Sequence, residues 1–202
     1  SNFLPVLKRK ECFAYCSLFP EDCIIDKMTL IKLWMAQGFI HSSNGNQHME
    51  DVGDEYFMSL LRNSLFLEFK KDEWGNVLSC RMDDLIRDAA VFVAGTGSTI
   101  IDMKAEIINK RSRHFLFCSS LHSSRELLDQ LLKAKKLRTF LLPTQYKGRL
   151  DKAIIDKLIS RFKYLRVLDL HDSGIEMVPP SIGNLLLLRY LDLSGNEDIN
   201  LL

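Results

Sequence analysis

No run of 18 or more apolar residues occurs in this chain, and no charged-then-apolar leader opens it. The first absence leaves no candidate for a membrane-spanning helix, and the second leaves none for a secretory signal. Cysteine is present but unpatterned. The five residues Cys12, Cys16, Cys23, Cys80 and Cys118 make an odd count without regular spacing, which argues against a disulfide framework and for reduced thiols in an intracellular protein. Cys12 and Cys16 lie four apart on one helix face, but no histidine or second cysteine pair completes a zinc site, so they read as core residues and the metal set is empty. The five histidines are scattered, and no Ser/His/Asp or Cys/His set is held in a recognisable loop. No G-x-x-x-x-G-K-[ST] phosphate loop is found, and Gly95-Thr-Gly97-Ser-Thr lacks the lysine and a preceding strand, so it reads as a linker. These absences point away from an enzyme.

What is present is ordinary for a globular protein: 47% hydrophobic and 26% charged residues over 202 positions, enough for one large domain or two small ones. The net charge of +1 hides a split. Residues 1–96 carry 10 Lys/Arg against 14 Asp/Glu, and residues 97–202 carry 17 against 12. That asymmetry supports two units more than a polyanion partner, and opposite signs could help the halves dock.

The first half has helical spacing broken by a wing. Leu7–Phe19 carries apolar residues at helical spacing and stops at Phe19-Pro20-Glu21-Asp22. Asp26 is placed to cap a second helix, in which Ile31, Trp34, Met35 and Phe39 share a face, with Gly38 near its end. A third helix is expected from about Glu50 to Asn63, with acidic first turns and a Phe57, Leu60, Leu61 stripe. Leu65–Phe69 and Val77–Met82 are strand candidates around the turn residues Asp72–Asn76. A closing helix begins at Asp83-Asp84, and Gly95–Ser98 marks the boundary. Three helices, a hairpin and a closing helix make a winged-helix pattern. Winged helices often bind DNA, but the expected recognition helix has four acids near its start and Arg62 as its one base, whereas phosphate contact needs Lys or Arg. A protein-facing role is favoured over nucleic acid. A winged-helix nucleic-acid binder with an appended interaction solenoid is the alternative.

The second half repeats a phrase. Leu165-Arg-Val-Leu168-Asp-Leu170 and Leu188-Arg-Tyr-Leu191-Asp-Leu193 both fit L-x-x-L-x-L, 23 residues apart, the second with Asn196 where the repeat wants asparagine and the first with Ser173. Leu137–Leu142 and Arg113–Phe117 are looser copies, and Leu150–Phe162 looks helical. The expected fold is mainly α with small β: a winged-helix domain over 1–95, then the truncated start of a leucine-rich-repeat solenoid over 96–202. The chain stops at Leu201-Leu202 inside a repeat, so the array is expected to be truncated or to expose an apolar end. The non-leucine strand positions are expected on the concave side, giving Arg166, Asp169, His171, Arg189, Tyr190 and Asp192 as protein-interaction candidates. The Lys133, Lys135, Lys136, Arg138 run reads as a solvated face.

Read in order, Leu7-Lys-Arg-Lys-Glu-Cys12-Phe-Ala-Tyr-Cys16-Ser-Leu-Phe-Pro20-Glu-Asp22, Leu30-Ile-Lys-Leu-Trp34-Met-Ala-Gln-Gly38-Phe-Ile40 and Glu50-Asp51-Val-Gly53-Asp-Glu55-Tyr56-Phe57 resemble successive motifs of the plant NB-ARC leucine-rich-repeat disease-resistance proteins, coiled-coil class. The resemblance covers nearly the whole chain. It implies a fragment of a cytoplasmic receptor operated by ADP/ATP, whose nucleotide-binding domain, the intramolecular partner of the winged helix, is missing from this chain. The fragment itself is expected to hold no cofactor. In the family, Met-His-Asp opens the closing helix, and its histidine reaches the ADP phosphate. Here Met82-Asp83-Asp84 stand at those positions. A carboxylate repels phosphate unless protonated, so Asp83 departs from the pattern. Asp84 is the expected helix cap, and Asp83 is left open. The repeats are implied to meet an effector, a host protein or the receptor's own switch domains.

Overall fold

Pro20 ends the first helix as its chemistry requires. Helix α1 (Phe3–Cys16) decays into a turn in which the amides of Ser17, Leu18 and Phe19 bond back three residues, and the proline ring cannot extend that ladder. This computed structural model describes residues 3–20, 23–42, 46–95, 100–101, 113–116, 131–142, 149–196 and 199. The Thr96–Ser98 linker, Phe117, Cys118 and the terminal Leu201-Leu202 lie outside the described residues. The chain divides into two compact units, Ser1–Thr96 and Gly97–Leu202.

In the first unit, strand β1 (Ile25–Asp26) runs directly into helix α2 (Lys27–Gln37), and the Asp26 carboxylate caps it by accepting from the Thr29 amide at 2.7 Å. That satisfies one of the helix's orphan donors. Gly38, at φ 77°, ends α2 in the left-handed region, and the Gly38 and Phe39 amides reach the Met35 and Trp34 carbonyls. Helix α3 (Met49–Arg62) has Glu50 and Asp51 in its first turn and Arg62 in its last, matching the helix dipole at both ends. It lies close on α2: a Cβ added at Gly53 would stand 2.4 Å from Ile31 Cγ2. The hairpin of β2 (Leu67–Lys71) and β3 (Val77–Arg81) turns around Asp72, whose carboxylate accepts from the amides of Trp74 and Asn76 and from the Asn76 side chain. β1 pairs with the other edge of β3, with Ile25 opposite Cys80, so the antiparallel order is β1-β3-β2. Helix α4 (Asp84–Ala94) closes the unit against α1 and is pinned where Arg87 Nε donates to the Phe19 carbonyl at 3.0 Å. Trp34, Ile31 and Phe57 lie fully buried in the core. Cys12, Cys16 and Cys80 are buried free thiols. Burial pushes all three up, Cys80 to about 12, so they stay protonated and unreactive.

The second unit is built on a parallel sheet whose strands follow chain order: β4 (Ile100–Ile101), β5 (His114–Leu116), β6 (Thr139–Leu141), β7 (Val167–Asp169) and β8 (Tyr190–Asp192). The fold as a whole is therefore mixed α/β, not mainly α. Three-residue strands carry little weight in a sequence pattern, yet five of them make a continuous ladder here. Phe115, Phe140, Leu168 and Leu191 form one row across it, with the Phe115 and Phe140 rings stacked at 5.8 Å between centroids. Helix α5 (Lys152–Arg161), capped by Asp151, lays Ile154, Ile155, Leu158 and Ile159 against this row between β6 and β7. A short 3-10 helix (Pro180–Asn184) fills the corresponding place between β7 and β8. Leu165, Leu168 and Leu170 are fully buried, while Leu191, one repeat later, is 40% exposed.

Candidate functional site

Met82, Asp83 and Asp84 stand where β3 hands the chain to α4. Met82 is buried, while Asp83 and Asp84 are exposed. Asp83, not Asp84, is the helix cap. Its backbone is extended and its Oδ1 accepts from the Ile86 amide at 2.9 Å. Asp84 is already the first helical residue. The expectation of capping by Asp84 is corrected by register: the cap must precede the first helical turn, and the turn begins at Asp84, one residue earlier than the sequence suggested. These residues line an open cleft of about 380 Å³ together with Leu67, Arg81 and Leu85. One cation, two carboxylates and three apolar side chains line it. Leu85 and Phe92 on the outer face of α4 are 78% and 88% exposed.

The strand-face candidates divide by position. Asp169 is buried, Arg166, His171, Tyr190 and Asp192 are half-buried, and Arg189 is exposed. Asp169 and its neighbour Val167 are buried within β7, which is hydrogen-bonded to a strand on each side. β7 and β8 bring Asp169 directly opposite Asp192. His171 Nδ1 meets Asp169 Oδ1 at 2.6 Å. That hydrogen bond raises the imidazole above its ordinary 6.5 in spite of burial, and Asp192 and Asp172 add to the effect. Burial works to raise Asp192, but the Ser194 hydrogen bonds, the Tyr190 hydroxyl at 3.2 Å and His171 outweigh it and hold the carboxyl below its ordinary value. No cluster of three metal-ligating side chains occurs among the described residues.

Two of the candidates, Arg166 and Arg189, belong to a longer series that was not visible as a unit in the sequence. The Arg138 amide donates to the Arg113 carbonyl at 2.6 Å, Arg166 to Arg138 at 2.8 Å, and Arg189 to Arg166 at 2.9 Å. Four arginines thus stand in backbone register at the N-terminal ends of β5 to β8. The signal was available: arginine follows the opening leucine in Leu137-Arg138, Leu165-Arg166 and Leu188-Arg189. Just inside this column His114 is buried at 2.9 Å from the Thr139 hydroxyl. Burial first, then Arg138, Arg113 and Arg166, push its imidazole down to about 3.

Three helices, a two-stranded wing and a closing helix define the first unit as a winged-helix domain. Residues 18–90 match the family described as the disease resistance protein winged helix domain. The chain belongs to the plant disease-resistance proteins. It is 36% identical to disease resistance protein RPP13 of Arabidopsis thaliana over 197 residues, which is 93% of this chain and 21% of that protein. It is 37% identical to disease resistance protein RGA2 of Solanum bulbocastanum over 197 residues, 92% of this chain and 17% of that protein. Identity with disease resistance protein RFL1 of Arabidopsis thaliana is 32% over 222 residues, 96% of this chain and 23% of that protein. The chain therefore spans about a fifth of the length of the curated relatives it matches. No described helix is long and apolar enough to cross a membrane.

Proposed function

We propose that this chain is the regulatory switch and interaction portion of a cytoplasmic plant immune receptor, joining the winged-helix end of an NB-ARC region (1–95) to the first leucine-rich repeats (96–202). The observation that carries the reading is the cleft at the start of α4. There Met82, Asp83 and Asp84 occupy the Met-His-Asp positions of the resembled family, at the surface of the winged helix. In the parent protein a separate nucleotide-binding domain would hold ADP or ATP, and the nucleotide would bias whether that domain packs against this surface. Asp83 has its carboxylate on the helix cap and cannot donate to phosphate as an imidazole does. Arg81, in the same cleft, is the residue suited to that charge. The repeats, with their mixed-charge strand faces, are the interaction surface for an effector, a host protein or the receptor's own domains. The acidic start of α3 argues against the nucleic-acid-binding alternative, since Glu50, Asp51 and Glu55 would face phosphate.

Two measurements test this. Calorimetric titration of this chain with ADP should show no micromolar binding, because the nucleotide site lies mainly on the missing domain. In the intact receptor, Asp83→His should raise the amount of ADP that copurifies, and Arg81→Ala should lower it. Unchanged ADP content in both variants would overturn the switch reading.

A further inference from the structure

The strands of the second unit are charge-polarised. The segments leading into β6, β7 and β8, residues 131–138, 161–166 and 184–189, contain eight Lys/Arg (133, 135, 136, 138, 161, 163, 166 and 189) and no Asp or Glu. Arg113 continues the series into β5. The acids Asp169, Asp172 and Asp192 sit at the opposite, C-terminal ends of the strands. Backbone hydrogen bonds hold Arg113, Arg138, Arg166 and Arg189 in one column. At about 4.8 Å per strand, that column spans roughly 14 Å. The segments leading into β7 and β8 also carry three exposed apolar side chains: Tyr164 is 51% exposed, Leu186 88% and Leu187 42%.

From this juxtaposition we infer that the arginine column is a docking edge for an extended acidic segment of a partner protein, one with apolar side chains interleaved among its carboxylates. The inference rests on the interaction reading of the repeats above and supplies the chemistry of the partner. An extended chain presents side chains on one side every 6.6 Å or so, which places two or three carboxylates along the roughly 14 Å column. Guanidinium forks pair with carboxylates through two parallel hydrogen bonds. Tyr164, Leu186 and Leu187 would cover the intervening apolar side chains. A nucleic acid has no use for those exposed leucines, and the acidic strand ends repel a wide anion. A membrane surface needs a broader apolar face than these three residues provide.

The test uses the full chain and a fluorescein-labelled peptide of glutamates with interspersed leucines, read by anisotropy, with single-stranded DNA and phosphatidylserine vesicles as parallel probes. The peptide should bind and weaken with salt. The triple change Arg138→Glu, Arg166→Glu, Arg189→Glu should lower its affinity by about tenfold or more. Lys135→Glu with Lys136→Glu and Lys163→Glu, all on exposed side chains, provides a second variant that leaves the backbone column intact and should weaken binding in the same direction. The inference is overturned if both variants bind the peptide as the parent does, or if DNA or vesicles bind more tightly than the peptide. Failure of the unaltered chain to bind the peptide, with a normal response of ADP content to Asp83→His, would sink this inference and leave the switch reading standing. Changes at the arginine column with no response at Asp83 would do the reverse.

Discussion

Asn196 reaches back across the repeat to Leu170. Its Nδ2 donates to the Leu170 carbonyl at 2.9 Å and to the Leu193 carbonyl at 2.8 Å, while its Oδ1 accepts from the Ile175 amide at 3.0 Å. One side chain therefore serves backbone groups of two successive turns where the chain leaves the sheet. Ser173, at the matching place one repeat earlier, donates to the Leu170 carbonyl at 2.6 Å and does less.

Replacing Asn196 by alanine should leave the Leu193 carbonyl and the Ile175 amide short of a partner and the Leu170 carbonyl with Ser173 alone. Each half-buried group left so costs about 1 kcal/mol, giving a total on the order of 2–3 kcal/mol. Urea denaturation followed by circular dichroism measures it. A loss no greater than that of an exposed surface change would show that water replaces the side chain without cost.

Gly53 is required by the crossing of α2 and α3. In Gly53→Ala the gain in helix propensity of about 1 kcal/mol competes with a methyl 2.4 Å from Ile31 Cγ2. Ile31 is fully buried and cannot swing away, so the net effect should be a loss of about 1–3 kcal/mol. Ile31→Ala alone should cost about 2–4 kcal/mol by opening a cavity. The double variant should cost less than the sum, because the new methyl occupies that cavity. Strict additivity in the denaturation energies would refute the steric account.

Local chemistry made much of this fold legible beforehand. Pro20 stops α1, Asp26 caps α2 and Gly38 ends it, and α5 buries the isoleucines and leucine that its spacing selects. Each of these depends on residues within a turn of one another. What stayed hidden depends on partners far away in sequence. β1 is two residues long and exists because β3 offers it an edge. The burial of Val167 and Asp169 depends on packing from elsewhere in the chain, which alternation along one strand does not reveal. The arginine column becomes a surface only when four repeats are aligned in register. At the start of α4 the sequence narrowed the cap to two adjacent aspartates, and one residue of register decided between them.

That choice is directly measurable. Asp83→Ala should destabilise the first unit by about 1 kcal/mol through loss of the cap, whereas Asp84→Ala, acting through the helix dipole alone, should cost roughly half of that or less. Asp83→Asn should retain most of the capping energy. Hydrogen exchange at the Ile86 amide gives an independent reading, with protection lost in Asp83→Ala and kept in Asp84→Ala. The reverse order would reassign the cap.

His114 and His171 predict opposite pH dependences. His114 is buried and depressed to about 3, so the native state refuses a proton that the unfolded chain takes up near 6.5. Its contribution is fully present above that value and is lost as pH falls from about 6.5 towards 3, by an amount on the order of 3–5 kcal/mol. His171 is raised above 6.5 by Asp169. Its contribution is present in full below 6.5 and is lost as pH rises through the raised value. A series of urea midpoints from acid to mildly alkaline pH should therefore fall on both sides. His114→Gln should flatten the acid limb and leave the alkaline one, and His171→Gln should do the opposite. Because other carboxylates also titrate at low pH, the decisive quantity is the difference between parent and variant. An acid limb of equal steepness in His114→Gln would mean that the imidazole is protonated in the folded chain, and that burial and the nearby arginines do not hold it neutral.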